Sequence, residues 1–193
     1  MKKLLFNALF FISIVSFGQT AVGINTKTSK LDWKGSKIIG SHNGNVNFSS
    51  GKLFIKNGVL TGGEFVIDMN SITCTDITDA GTNAKLIGHL KNDDFFATDK
   101  HPTASVKITK VEKLKSKKGT YNIKADLTIK GITNSVSFPA TLTKSGNKYV
   151  AKAKMNIDRT KWDVKYGSAS FFESLGDKAI KNEIEFGISL ESL

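Results

Sequence analysis

A chain of 193 residues fits a single domain, because β-barrels of this size often form one unit. Its net charge of +11 comes almost entirely from lysine, and Arg159 is the one arginine. Nucleic-acid-binding proteins usually concentrate arginine with aromatic residues on one face, and this sequence does not, so we predict no nucleic-acid partner. The lysines instead favour solubility, or a weak and transient contact with an anionic membrane surface.

Residues 1–18 have the composition of a secretory signal peptide. Two lysines precede an apolar run over 4–15, and Ser16 and Gly18 supply small residues for cleavage. The run is short for a transmembrane span and no second run follows, so an uncleaved transmembrane anchor is the weaker alternative. The sequence therefore predicts a cleaved signal peptide at 1–18, one domain over 19–193, and a periplasmic or secreted location.

Most of the remaining chain alternates apolar and polar residues with a period of two, which is typical of half-buried strands. Turn residues separate several of these runs, and Asn-Gly in particular suits the positive φ angles of a hairpin turn. The proposed hairpin turns are Asn57-Gly58, Lys117-Lys118-Gly119 and Ser145-Gly146-Asn147. About eight strands at regular spacing predict an all-β antiparallel barrel or sandwich.

Two stretches break the alternation. Residues 82–91 place Leu86 and Leu90 four apart with Thr82 as the N-cap, which predicts a short helix. Residues 170–180 contain several large apolar side chains and are expected to form a second short helical segment. Both stretches could line the mouth of a cavity, and simple closure of the core is an equally good interpretation.

The cysteine and the histidines do not indicate a metal site by their spacing. Cys74 is the single cysteine, so it forms no internal disulfide, and we interpret it as a small buried hydrophobic residue. His42, His89 and His101 are the three histidines, and no pair of them has the local spacing of metal ligands. We predict no metal and no cofactor, with a metal- or haem-binding extracytoplasmic protein as an alternative.

Catalytic motifs are missing from the sequence. It contains no Gly-x-Ser-x-Gly elbow, phosphate-binding loop or dinucleotide fingerprint. Asp93 and Asp94 are adjacent, so their carboxylates would not readily flank one bond from opposite sides. We predict that the protein is not an enzyme.

Six short motifs carry a family resemblance when they are taken in order. They are Ser41-His42-Asn43-Gly44, residues 63–72, His89-Leu90-Lys91 with Asp94-Phe95-Phe96, His101-Pro102-Thr103-Ala104, residues 127–133, and residues 158–162. In this order and spacing they resemble the YceI-like family of exported polyisoprenoid-binding proteins. The resemblance implies an extended, lipocalin-like antiparallel barrel of eight or slightly more strands, whose lumen holds a long isoprenoid or related lipid. The chain departs from the family at Ala97, where an acidic residue often stands.

Strand parity and position in the two loop segments select candidates for the lining of such a lumen. These are Phe48, Phe65, Ile67, Met69, Leu86, Leu90, Phe95, Phe96, Ile129, Met155 and Phe171. Burial of about ten methylene groups at about 0.8 kcal/mol each gives roughly 8 kcal/mol, or about micromolar affinity. For any single residue, an ordinary core role is the alternative.

Three polar residues are candidates for contacts with a ligand head group at the mouth of the barrel: His42, His89 and Arg159. For Arg159 we favour a structural role, in which hydrogen bonds to neighbouring Asp158 fix a turn. Contact with an anionic head group is the alternative.

The sequence as a whole predicts an exported carrier that sequesters a long-chain isoprenoid or similar amphiphile in its lumen. The second hypothesis is a structural or stress-related envelope barrel that holds no ligand because its lumen is packed. A dimer is possible, and the sequence does not fix the oligomeric state.

Overall fold

A computed structural model describes residues 18–115 and 119–193. Within these residues the chain forms nine strands and one α-helix, α1, at Ala80–Lys91. The predicted signal peptide lies outside the described residues apart from Gly18, as do Lys117 and Lys118 of one predicted hairpin turn. The strands are β1 Thr20–Gly23, β2 Lys30–Lys37, β3 Ser41–Lys56, β4 Val59–Asp68, β5 Thr103–Lys113, β6 Thr120–Ile129, β7 Ile132–Ser145, β8 Lys148–Asp158 and β9 Ile180–Glu191.

The strands close into an antiparallel barrel. From β3 the order runs through β2, β9, β8, β7, β6, β5 and β4, and pairing of β4 with β3 completes the ring of eight. The ninth strand, β1, pairs with the second half of β3. The predicted all-β, eight-stranded antiparallel barrel is therefore confirmed.

Each strand alternates because one face points into the barrel. Along β6, for example, Tyr121, Ile123 and Ala125 are buried, while Asn122 and Lys124 are exposed. Successive side chains of a strand point to opposite faces, so this parity puts the apolar set in the lumen.

The two ends of the barrel differ in how the strands are joined. At the turn end, two-residue hairpins at 57–58 and 146–147 join β3 to β4 and β7 to β8, and residues 114–119 connect β5 to β6. The predicted Asn57-Gly58 turn is confirmed, since φ is 52° at Asn57 and 73° at Gly58, as a type I′ turn requires. At the loop end, residues 130–131 form a further two-residue turn, and residues 38–40, 69–102 and 159–179 make the other connections.

The helix differs from the prediction at its start. It begins at Ala80, and its N-cap is Asp79, whose carboxylate accepts a hydrogen bond from the Thr82 backbone N–H at 2.8 Å. The assignment of Thr82 as the cap was wrong, because Asp79 supplies the oxygen that satisfies the first turn. Among the described residues, no helix has the length and hydropathy needed to cross a bilayer.

The other helical segments are single 3₁₀ turns at Met69–Ser71, Arg159–Trp162 and Gly176–Lys178. The expected second helix over 170–180 is thus limited to three residues inside an irregular loop. Gly176 itself has a φ of 52°, which an α-helix does not accept.

The seam between β7 and β8 is incomplete at the loop end. The two strands pair only from Ala140 with Ala153 to Ser145 with Lys148. Beyond these pairs, β7 continues along β6 and β8 continues along β9. The side chain of Asn134 bridges the gap by donating from Nδ2 to the Lys161 carbonyl at 2.9 Å.

Candidate functional site

An apolar cavity of about 420 Å³ occupies the barrel lumen. All eight strands of the ring contribute inward-pointing side chains. At the loop end, α1 and the segment after it cover part of the cavity with Leu86, Leu90 and Phe96. This volume lies within the range of about 300–1,000 Å³ that is typical of small-molecule pockets. The inward side chains therefore leave space along the barrel and do not fill it.

The structure brings together all but one of the predicted lining residues. Those on the cavity wall are Phe48, Phe65, Ile67, Met69, Leu86, Leu90, Phe95, Phe96, Ile129 and Met155. Their position follows from strand parity and from the packing of α1 over the loop end. Their contact with a ligand stays a prediction.

Other lining residues were not selected from the sequence. Examples are Ile123 and Leu127 on β6, and Phe186 and Ile188 on β9. They lie on the same alternating faces that identified the strands, so parity alone could have found them. The selection included only some of the inward positions of each strand, although a barrel wall is built from every inward position.

Phe171 is the exception, and its assignment to the lining was wrong. It is 51% exposed and lies in the loop before β9, outside the cavity. The loop does not form the expected helix, so nothing turns this ring inward. Phe171 lies near Lys165, whose Nζ is 5.1 Å from the ring centroid.

The entrance to the cavity lies at the loop end, where Ile39, Gly40 and His42 border it. Four large apolar side chains in the two loops at this end are about half exposed or more, and we call them the apolar rim: Ile38, Ile39, Phe171 and Phe172. The two loops that carry them are adjacent, since the Ile38 N–H donates to the Ala179 carbonyl at 3.3 Å. An exposed apolar cluster beside a cavity entrance is typical of an interaction surface.

His89 supports the end of the cavity without lining it. Its ring packs edge-on against Phe95 and Tyr166, with centroid distances of 4.8 and 4.5 Å. Phe95 lines the cavity, whereas His89 does not. Phe95 therefore lies between His89 and the cavity, and His89 does not have the predicted position for contact with a ligand head group.

Arg159 is 2% exposed, and its guanidinium binds backbone carbonyls. Nε donates to Lys181, Nη1 to Val164 and Nη2 to Ile180, at 3.1, 2.6 and 3.1 Å. Burial lowers the pKa of Arg159, and the nearby charge of Asp158 partly offsets this effect. The side chain fixes the loop that precedes β9 to the start of that strand.

The expected hydrogen bonds between Asp158 and Arg159 do not form. The Asp158 carboxylate instead caps the following 3₁₀ helix by accepting from the Thr160 backbone N–H at 3.0 Å. The structural role predicted for Arg159 agrees with these contacts, but its partners are carbonyls from two other segments. Sequence proximity suggested the wrong partner.

His42 lies at the entrance beside two residues that the sequence did not connect with it. Its Nδ1 is 2.8 Å from Oδ2 of Asp76, and the Cys74 thiol donates to Oδ1 of Asp76 at 3.3 Å. The Asn43 backbone N–H binds Oδ1 at 2.8 Å, and this bond, with those from His42 and Cys74, lowers the pKa of Asp76 to about 2. Cys74 is buried as predicted, but it also takes part in a polar cluster.

A closed antiparallel barrel with a hollow apolar lumen is an architecture that binds one lipophilic small molecule. The family model described as the YceI-like domain matches residues 23–192. The chain belongs to the YceI-like family. This membership, together with the cavity, supports a lipid-binding barrel.

Three solved structures are similar to this chain. BcnA of Burkholderia cenocepacia has 18% identity and a TM-score of 0.72, and the match covers 88% of this chain and 99% of BcnA. A polyisoprenoid-binding domain from Saccharophagus degradans has 16% identity and a TM-score of 0.63, covering 91% and 98%. The YceI protein of Campylobacter jejuni has 17% identity and a TM-score of 0.55, covering 100% and 99%.

At these identities the similarity shows the shared fold. Comparison with curated proteins gave no match.

Proposed function

We propose that this protein is an exported carrier that sequesters one long-chain isoprenoid, or a similar amphiphile, in its lumen. The observation that carries the proposal is the apolar cavity of about 420 Å³ inside the barrel. A methylene group has about the volume of a liquid water molecule, roughly 30 Å³, so about a dozen such groups fit. Before ordering costs and polar contacts are counted, their burial corresponds to about micromolar affinity or better.

The lining favours a ligand that is held by its apolar chain. Arg159 is the buried charged residue among the lining residues, and three backbone carbonyls already engage it. The lysines that border the cavity, Lys37, Lys152 and Lys181, are exposed. This arrangement favours the structural role of Arg159 over contact with an anionic head group. Export is supported by the composition of residues 1–18.

Native mass spectrometry of the purified protein, without any step that removes bound lipid, tests the proposal directly. We expect added mass from one class of long-chain lipid, and extraction should return that lipid. A protein that is recovered without lipid and does not take up a long-chain isoprenoid alcohol when it is offered would refute the carrier function.

A pair of substitutions on β5 makes the test specific to the lumen. Ala104 is 3% exposed and lines the cavity, so Ala104→Phe places a ring in the space for the ligand. Its neighbour Ser105 is exposed and points outward, so Ser105→Phe adds the same ring outside the barrel. We expect uptake of the isoprenoid alcohol to fall at least tenfold in the first variant only. Equal uptake by both folded variants would place the ligand elsewhere.

We further propose that the carrier exchanges its ligand at a membrane surface through the apolar rim. Phe171 and Phe172 are about half exposed, and Ile39 both joins the rim and borders the cavity entrance. Charges near the rim are mixed, with positive charge on Lys37, Lys165 and Lys178 and negative charge on Glu173 and Asp177. We therefore expect an apolar contact that depends little on anionic lipid, in contrast to the electrostatic attraction that composition suggested.

The membrane contact is tested by transfer of a fluorescent isoprenoid from phosphatidylcholine vesicles, with and without phosphatidylglycerol. Serine at both Phe171 and Phe172 should slow transfer about tenfold, which corresponds to about 1.4 kcal/mol of lost apolar contact. The control is Leu193→Ser, because Leu193 is 75% exposed at the turn end. Equal transfer rates in the two variants would refute the contact, and so would transfer that requires phosphatidylglycerol.

A further inference from the structure

Three side chains with different ligand atoms converge beside the entrance to the lumen. His42 is the second residue of β3, and Cys74 and Asp76 lie in the segment between β4 and α1. His42 Nδ1, Cys74 Sγ and the Asp76 carboxylate oxygen all lie within 4.8 Å of one another. A nitrogen, a sulfur and a carboxylate oxygen are the three kinds of atom that bind zinc in proteins.

Two backbone segments hold this cluster in place. The Thr73 and Thr75 N–H groups donate to the carbonyls of Asn45 and Asn43, both at 2.9 Å, so residues 73–75 run beside the first part of β3. Their close approach depends on Gly44, because a Cβ at that position would lie 1.8 Å from the Thr73 carbonyl oxygen. The pairing fixes the spacing between His42 and the other two residues.

The segment is also held from the helix. Asn83 Nδ2 donates to the carbonyls of Cys74 and Ile77, at 3.0 and 2.9 Å. In an extended segment, residues two apart share one face, so Cys74 and Asp76 both point toward His42. The three ligand atoms are therefore brought together by contacts that do not involve the ligand atoms themselves.

We propose that His42, Cys74 and Asp76 form a binding site for a divalent transition-metal ion, with Zn²⁺ as the best match. Tetrahedral zinc with bonds of about 2.0–2.3 Å separates its ligand atoms by about 3.3–3.6 Å. His42 Nδ1 lies 2.8 Å from Asp76 Oδ2, and the three ligand atoms all lie within 4.8 Å of one another, so small side-chain movements suffice.

Binding converts the hydrogen-bonded cluster into a coordination sphere. The Cys74 thiol releases its proton to solvent and becomes a thiolate ligand, and His42 binds through Nδ1 with its proton on Nε2. Asp76 coordinates through Oδ2, while the Asn43 N–H continues to hold Oδ1, which is the usual arrangement around a carboxylate ligand. Three protein ligands leave a fourth position for water or another ligand atom.

This site does not depend on lipid binding, and the sequence did not predict it. The histidines lack metal spacing among themselves, and the two other ligands come from a segment about thirty residues away. The competing interpretation is that the cluster only anchors the loop by hydrogen bonds.

The test is calorimetric titration of the purified, reduced protein with Zn²⁺, followed by Co²⁺ as a spectroscopic probe. We expect one saturable site per chain and, with Co²⁺, the absorption of a thiolate ligand in a tetrahedral complex. Cys74→Ser and His42→Ala should each weaken Zn²⁺ binding at least tenfold. The matched control is His101→Ala, because His101 lies outside the cluster.

Thermal melts make each outcome decisive. Zn²⁺ should raise the melting temperature of the parent protein and of His101→Ala, and it should not raise that of Cys74→Ser. Asp76→Asn provides a second variant that keeps the shape of the side chain. The proposal is overturned by the lack of a saturable site, by Co²⁺ spectra without thiolate absorption, or by equal loss of binding in His101→Ala.

Discussion

The loop end and the turn end of the barrel close the same eight strands by different means. At the turn end, Gly58 and Gly146 allow two-residue hairpins, and each turn is specified by neighbours in sequence. At the loop end, closure depends on residues such as Arg159 and Trp162, which bind groups from distant strands. We infer that the turn end sets the register of the strands, while the loop end shapes the site.

The largest effect is expected from Trp162→Ala. Trp162 is 2% exposed, and its Nε1 donates to the Leu127 carbonyl at 3.0 Å. Loss of this side chain should lower the free energy of unfolding by about 4 kcal/mol, measured by urea denaturation. Trp162→Phe should cost less because it keeps a ring. A loss below about 1 kcal/mol in the alanine variant would contradict the role given to the loop end.

The next effect is expected from Arg159→Lys. Lysine cannot reproduce three N–H groups in a fixed plane, so bonds to the Ile180 and Lys181 carbonyls should be lost. We expect the free energy of unfolding to fall by about 3 kcal/mol in urea denaturation. Lys161→Gln, at an exposed position in the same 3₁₀ helix, should change it by less than about 0.5 kcal/mol. Unchanged stability with weaker lipid binding would instead favour the head-group role.

A smaller and strictly local effect is expected at the turn end. Gly58→Ala puts a Cβ on a residue with a φ of 73° and should cost about 1 kcal/mol in the same assay. Asn57→Gly tolerates the same geometry and should change stability by less than about 0.5 kcal/mol. Isoprenoid uptake should be equal in both variants. If Gly58→Ala altered uptake, the separation of the two ends would fail.

The smallest effect is expected at the N-cap of α1. Hydrogen bonds from Thr82 lower the pKa of Asp79, so the ionised cap is favoured in the folded protein. Its contribution is therefore present above the unfolded pKa of about 4 and is lost as the pH falls through the lower folded value. At neutral pH, Asp79→Ala should speed amide exchange in the first helical turn, and Asp79→Asn should not. Faster exchange across the strands would show a wider role.

The strands could be predicted because their signals are local. Alternation along β6 and β9 and the Asn57-Gly58 turn identify sheet geometry without any knowledge of partners. Alternation also placed Phe65, Ile67 and Met155 on the cavity wall, while their contact with a ligand stays a prediction. Two of the wrong assignments, Phe171 as a lining residue and Thr82 as a cap, fall at the loop end.

The remaining features depend on contacts between distant segments. Arg159 binds carbonyls more than twenty residues away, and Asp158 was a poor guide to its role. The cluster at His42 forms only because residues 73–75 pair with β3, and alternation within one segment does not reveal that pairing. The contacts of Arg159 and of the cluster at His42 therefore depend on tertiary packing, which the local sequence pattern does not show.

The incomplete seam between β7 and β8 affects how wide a guest the lumen can hold. From Ile132 to Pro139, β7 is bonded to β6, and among the described residues no ladder ties this stretch to β8. The circumference of the barrel at this level is set by side-chain contacts such as that of Asn134, because the backbone hydrogen bonds do not form a closed ring there. We expect β7 and β8 to move slightly apart along this unpaired stretch, so that ligands with branched chains can bind. The length of a ligand along the barrel axis should then limit binding more than its thickness does. The measurement is amide hydrogen exchange along β7. We expect exchange to slow when the ligand binds, because the ligand fills the space between the separated strands.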